Sequence, residues 1–214
     1  MKSNMLCRAF AVCAGLLTGT SAVSAASAQT PAQIPAPAQA SVEAAGWTAN
    51  LTPERRQELL FDAAKLGRVD IIEALVAVGV DINGRDARGF TPLILAAYNG
   101  SSEAVAALIK AGADINLPDL RQGNTALMGV AFKGHDAVAS RLIEAGANVN
   151  ARNKAGQTAL MTATLFDRAE QVRMLLDAGA RADITDAIGH SAMDIAKRQD
   201  NARMIALLEP YEKR

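Results

Sequence analysis

The stretch from Gly89 to Asn116, GFTPLILAAYNGSSEAVAALIKAGADIN, decides the fold of this chain. Thr91 followed by Pro92 is typical of a helix start, with threonine as the cap and proline in the first turn. Gly100 separates this short helix from a second one, which Gly112 ends. Two helices of this length cannot bury their apolar faces alone, so the stretch predicts neighbours of the same kind.

The same pattern recurs at a period close to 33 residues. The glycines that follow the first helix, Gly67, Gly100 and Gly134, are 33 and 34 residues apart. A period of this length, with two helices and a hairpin-like turn, is typical of a stacked solenoid. We therefore predict an all-α fold, a solenoid of about five helix-turn-helix repeats joined by hairpin-like turns. The predicted repeats span about 51–83, 84–116, 117–150, 151–183 and 184–209.

Short motifs recur in phase through these copies. They include Thr91-Pro92-Leu93 and Gly112-Ala113-Asp114-Ile115-Asn116, then Thr125-Ala126-Leu127 and Thr158-Ala159-Leu160. In these motifs the chain resembles the ankyrin-repeat family over about residues 51–209. The resemblance implies L-shaped units in a curved solenoid, whose first helices and hairpin tips line a concave face that binds partners. The alanine-rich, exported style is similar to that of bacterial ankyrin proteins of the cell envelope.

Residues 1–28 predict a secretory signal peptide. Two basic residues precede the uncharged run Ala9–Ala22, which is too short to span a bilayer. Small residues favour cleavage after Ala28, with Val23-Ser24-Ala25 as a second choice. An uncleaved anchor is the alternative, and a lipoprotein signal fits less well because Val12 precedes Cys13. Cleaved export predicts a protein of the periplasm.

Composition limits the classes of function. Cleavage removes Cys7 and Cys13, which excludes disulfides, thiol catalysis and zinc-thiolate sites in the mature chain. The chain has 22 basic and 22 acidic residues, and loss of Lys2 and Arg8 leaves a formal charge of −2 on the mature chain. This charge predicts no nucleic-acid partner and, after cleavage, no membrane insertion. We expect a monomer.

The segments that flank the repeats carry little pattern. Residues 29–50 are rich in alanine and proline, which predicts a disordered, solvated linker, and 210–214 form a tail. Trp47 is the large apolar residue of this linker. It either contacts a partner or folds as a lid over the first repeat, and we favour the lid.

No catalytic, cofactor-binding or metal-binding residue is predicted, and the chain is not expected to be an enzyme. His135 and His190 fall in different repeats, and His135 occupies a consensus position, where a structural role is favoured. Asp81, Asp114 and Asp183 recur at the repeat spacing, which turn chemistry explains better than a calcium site.

The aromatic residues indicate a binding face. Four of the seven in the predicted mature chain fall at positions that face the concave side in the ankyrin fold. Rings flanked by asparagine, lysine and arginine are typical of protein interfaces, although packing between repeats is the alternative. The predicted partner-binding residues are Arg88, Phe90, Tyr98, Asn99, Asn124, Phe132, Lys133, Gln157, Leu165, Phe166, His190 and Arg198.

The sequence thus predicts a non-enzymatic scaffold that recognises a partner protein through its concave face in the bacterial cell envelope. One alternative is an inhibitor, such as an immunity or protective protein that neutralises a secreted enzyme or toxin. A second alternative is a structural spacer of the envelope, for which the proline-rich linker is the hint.

Overall fold

The computed structural model describes residue 46 and residues 48–212. The predicted signal peptide, most of the predicted linker and Trp47 lie outside the described residues. Within this part of the chain, no helix is both long and apolar enough to cross a membrane.

Ten α-helices follow one another along the described residues, and they form five pairs. The first helices of the pairs are α1 (Pro53–Leu66), α3 (Pro92–Tyr98), α5 (Ala126–Lys133), α7 (Ala159–Leu165) and α9 (Ala192–Arg198). The second helices are α2 (Val69–Ala77), α4 (Ser102–Lys110), α6 (Asp136–Glu144), α8 (Ala169–Asp177) and α10 (Ala202–Leu208), with a 3-10 turn at Glu209–Tyr211. Residues 48–212 contain no β-strand. The predicted all-α solenoid of five repeats is confirmed.

The helix start predicted at Thr91 is present, and Thr52 caps α1 in the same way. The Thr52 and Thr91 hydroxyls accept hydrogen bonds from the backbone N–H of Arg55 and Ile94, both at 3.2 Å. Each satisfies a donor that the first helical turn leaves unpaired. In the last repeat Ser191 forms a capping box with Asp194. The Ser191 hydroxyl and backbone N–H, which donate to this carboxylate, lower the pKa of Asp194 below its ordinary value.

Like helices of neighbouring repeats pack on each other, first against first and second against second. The second helices bury the apolar stripe that the sequence predicts, for example Leu108 and Leu142, both fully buried. Between the first helices, Met128 and Met161 are also buried, and their flexible side chains fill the space between repeats.

His135 has a packing role. Its imidazole covers Gly100 of the preceding repeat, where an added Cβ would lie 2.8 Å from the ring carbon Cε1. Gly100 has a φ of +78°, which a residue with a side chain adopts only at a cost. Glycine at this position therefore serves both the turn and the close approach of the next repeat.

The end of the predicted linker packs on the first helix. Thr48 is buried, and its carbonyl accepts a hydrogen bond of 3.1 Å from Arg56 Nε. The N–H of Leu51 donates to the same carbonyl oxygen. Ordered packing on the first repeat therefore includes Thr48, three residues before the predicted start of the repeat domain.

One Asp or Asn side chain organises each hairpin tip. Asp86, Asp119, Asn153 and Asp186 accept backbone N–H groups of the residues that follow them. Asp119 accepts three such bonds, at 2.7–2.9 Å, because its tip is one residue longer than the others. The extra residue of the third repeat therefore lies after Asp119 and leaves the repeat spacing before it unchanged.

Asparagine side chains also join one turn to the next. The N–H of Asp114 donates to Asn83 Oδ1, the N–H of Asn148 to Asn116 Oδ1, and the N–H of Arg181 to Asn150 Oδ1. These distances are 2.8–2.9 Å, and the three links follow one another along the stack. Each link supplies a partner for a backbone N–H in the following turn.

Replacing Asn116 with alanine should lower the free energy of unfolding by about 1 kcal/mol, because it removes one such hydrogen bond. Chemical denaturation of the purified protein measures this difference. Asn116→Asp is the matched control, since it keeps the acceptor oxygen, and it should remain within about 0.5 kcal/mol of the wild type. Equal losses in both variants would show that the link contributes nothing.

Candidate functional site

First helices and hairpin tips from all five repeats line one open cavity, with a volume of about 710 Å³. We call this cavity the groove. Its floor includes the buried side chains of Met128 and Met161, while rings stand along it and polar side chains border the tips. The sequence places these groups together because equivalent positions of stacked repeats point in the same direction.

A row of rings crosses three repeats within the groove. The centroids of Tyr98 and Phe132 are 6.1 Å apart, with the ring planes nearly parallel at 9°. Phe166 meets Phe132 edge to face, with centroids 4.6 Å apart. All three rings remain 36–39% exposed, although they contact one another across the repeats. Both predicted roles, packing between repeats and exposure on a face, therefore describe the same side chains.

Amide side chains form a second row beside the hairpin tips. Asn153 Nδ2 donates to Asn124 Oδ1 at 2.9 Å and to Gln157 Oε1 at 3.2 Å. Asn124 in turn donates to Gln122 Oε1 at 3.0 Å. The network holds the amide groups of two successive tips in place, so they present a preset pattern of donors and acceptors.

Positive charges outnumber negative ones in the groove. Lys65, Arg88 and Arg121 line it, whereas Asp119 is the one carboxylate among the described lining residues. Asp119 is 3% exposed and accepts three backbone N–H bonds, so its charge is already engaged. Lys133 adds a fourth cation, with Nζ 4.6 Å from the centroid of Tyr98. At this distance an ammonium group is attracted to the face of the ring.

Of the twelve predicted partner-binding residues, the structure brings nine together in the groove. They are Arg88, Phe90, Tyr98, Asn99, Asn124, Phe132, Gln157, Leu165 and Phe166. Lys133 is not part of the cavity wall but lies over the rings.

His190 and Arg198 lie outside the groove. Arg198 Nη1 is 3.4 Å from His190 Nδ1, so the two side chains contact each other at the last repeat. The N–H of His190 donates to Asp186, and this bond is the main cause of the lowered pKa of that carboxyl. Ile195 is the described residue by which the last repeat reaches the groove.

Sequence reasoning missed several lining residues. They include Asp119, Arg121, Gln122, Met128, Asn153 and Met161. Repeat position gave no signal for Asp119 and Asn153, because Asp86 occupies the same position and does not line the groove. Asp119 serves the backbone of its tip, while Asn153 also joins the amide network.

The chemistry of the groove suits recognition. It offers ring edges, amides and cations, which bind a ligand through contact and charge. Among the described residues there is no group of three or more His, Cys, Asp or Glu side chains that could hold a metal ion.

A family model described as ankyrin repeats (3 copies) matches residues 40–119 and 116–186, which together make up more than half of the chain. No curated protein matches the chain.

Proposed function

The chain belongs to the ankyrin-repeat family, and on this premise we propose that it is an exported, non-enzymatic module that holds a partner protein in the groove. Ankyrin repeats are generally protein–protein interaction modules, and proteins built from them are typically non-enzymatic scaffolds. The proposal that the groove is the binding surface rests on the side chains that line the groove in this chain.

The row of exposed rings carries the proposal. Tyr98, Phe132 and Phe166 keep more than a third of their surface exposed, at the centre of a cavity. Aromatic residues near the centre of an interface contribute most of the binding energy in many complexes. Their helices are held by packing on both sides, so little conformational entropy is lost when a partner binds.

Affinity capture tests this function. Purified protein, immobilised on beads, should retain a partner from the envelope fraction of the source cells at defined stoichiometry. Phe132→Ala should lose that partner, and Leu66→Ala, which truncates a 76% exposed leucine outside the groove, should keep it. Retention by all three proteins alike would contradict a binding role for the groove.

Export is the second part of the proposal, and it is supported by the charge and small-residue pattern of residues 1–28. We expect protein recovered from the periplasm to begin at Gln29, as shown by its intact mass. A protein recovered with Met1 from the cytoplasm would contradict export while leaving the binding proposal intact.

The cations of the groove favour one second candidate, neutralisation of a secreted enzyme or toxin. Lys65, Arg88, Arg121 and Lys133 could block an active site whose entrance is acidic. Assaying the captured partner distinguishes the two functions, since an inhibitor abolishes the partner's activity at one-to-one stoichiometry and a scaffold leaves it unchanged.

A further inference from the structure

The groove has a charge that the chain as a whole lacks. The full sequence has 22 basic and 22 acidic residues, so its formal charge is zero. Four cations nevertheless gather at the groove, from Lys65 in the first repeat to Lys133 in the third. The one carboxylate among its described lining residues, Asp119, is buried against three backbone N–H groups.

Two of these cations are available to a ligand. Lys65 pairs with Asp62 at 3.0 Å and Arg88 with Asp86 at 3.3 Å. Arg121 and Lys133 are exposed and form no ion pair within the part of the chain that the structure describes. A carboxylate placed between hairpin tip and helix would therefore meet uncompensated positive charge.

One of the two free cations, Lys133, lies next to the row of rings. Lys133 Nζ lies 4.6 Å from the ring centroid of Tyr98 and 6.0 Å from that of Phe132. An acidic group that reaches Lys133 consequently lies beside an apolar surface. In the fourth and fifth repeats the described lining contains no charged side chain. It consists there of Asn153, Gln157, Met161, Thr162, Leu165, Phe166 and Ile195.

We propose that the partner enters the groove through an acidic peptide segment, with Asp or Glu residues beside at least one large apolar side chain. The carboxylates bind Arg121 and Lys133, and the apolar side chain packs on the row of rings. This inference rests on the proposed function, since it names the chemistry of the segment that the groove binds. Complementary charge at the rim mainly sets specificity and the rate of association.

Single-stranded nucleic acid also combines negative charge with flat rings, but the groove suits it less well. Binding of nucleic acid draws on counterion release, which increases with the number of phosphates that cations contact. The groove supplies four cations, two of which are already ion-paired. Bases also need open ring faces for stacking, whereas Tyr98 and Phe132 stack on each other.

Selection from a displayed library of random 12-residue peptides tests the inference on the purified protein. We expect the enriched peptides to be rich in Asp and Glu with a large apolar residue among them. Arg121→Gln combined with Lys133→Gln should abolish this acidic enrichment. The matched control is Lys110→Gln with Arg203→Gln, which removes the same charge from exposed positions on second helices and should leave the enrichment unchanged.

Fluorescence anisotropy then measures the affinity of the protein for one enriched peptide and for a neutral analogue, in which Asn and Gln replace Asp and Glu. The Arg121→Gln, Lys133→Gln variant should bind the acidic peptide about tenfold more weakly than the wild type does. For the neutral analogue, the affinities of variant and wild type should agree within about twofold. Raising the salt concentration from 50 mM to 500 mM should weaken binding of the acidic peptide to the wild type. Salt screens exposed charges, and both Arg121 and Lys133 are exposed.

The outcomes separate this inference from the proposed function. Neutral or basic enriched peptides whose binding is lost in Phe132→Ala would overturn the acidic segment and leave the groove as a protein-binding site. If the wild type enriched peptides no better than Phe132→Ala does, both the acidic segment and the groove as a protein-binding site would be overturned. Binding of a 20-nucleotide dT oligomer that depends on Arg121 and Lys133, without acidic enrichment, would replace the peptide with nucleic acid.

Discussion

Leu142→Ala is expected to lower the free energy of unfolding by about 3 kcal/mol. Leu142 lies on α6 in the third repeat and is fully buried. Truncating it leaves a cavity whose walls can relax only in part, so the loss includes contacts as well as transfer free energy. Because α6 packs on both α4 and α8, the substitution weakens two interfaces between repeats.

Denaturant titration followed by circular dichroism measures the effect of Leu142→Ala. Leu66→Ala is the matched control, since its side chain is 76% exposed, and it should cost less than about 0.5 kcal/mol. A broadened or two-step transition for Leu142→Ala would show that the two halves of the stack have become uncoupled. Equal losses in the two leucine variants would contradict the assignment of Leu142 to the core.

Phe132→Ala is expected to weaken binding of the captured partner about 30-fold, which corresponds to about 2 kcal/mol. Phe132 is the central ring of the row and contacts Tyr98 on one side and Phe166 on the other. Its removal therefore takes away its own contact with the partner and loosens the two rings beside it. Titration calorimetry with wild-type and variant protein gives the two dissociation constants.

The same variant should lose little stability. Phe132 is 36% exposed, so truncation removes a side chain that is only partly covered and should cost less than about 1.5 kcal/mol. Leu66→Ala again serves as the control and should bind the partner with wild-type affinity. A stability loss as large as that of Leu142→Ala, with unaltered affinity, would show that Phe132 is a core residue.

The repeat architecture was predictable from the chain because its signals are local. Helix starts at Thr52 and Thr91 depend on a side chain and an N–H three residues apart. The apolar stripe of each second helix spans two turns, so its phase is visible in any single copy. A change in spacing placed the extra residue of the third repeat between Asn116 and Gly123, and the hydrogen bonds of the tip narrow its place to the residues after Asp119.

The groove was predictable only in part. Equivalent repeat positions pointed to Tyr98 and Phe132, whereas His190 and Arg198 share the pattern but lie outside the cavity. A position in a terminal repeat has a neighbour on one side only, so the repeat pattern alone overstates its part in a shared surface. The net charge also did not predict the cations of the groove, because a sum over the whole chain does not show which face carries each charge.

The sequence by itself determined the repeat, its two helices, their buried faces and the turn that follows them, since each depends on residues close together in the chain. The tertiary structure decided which side chains of different repeats meet. Tyr98 and Phe132 are 34 positions apart, and their ring centroids come within 6.1 Å only because the repeats stack in register. The exposed rings, the amide network and the uncompensated charge of Arg121 and Lys133 all arise from that stacking.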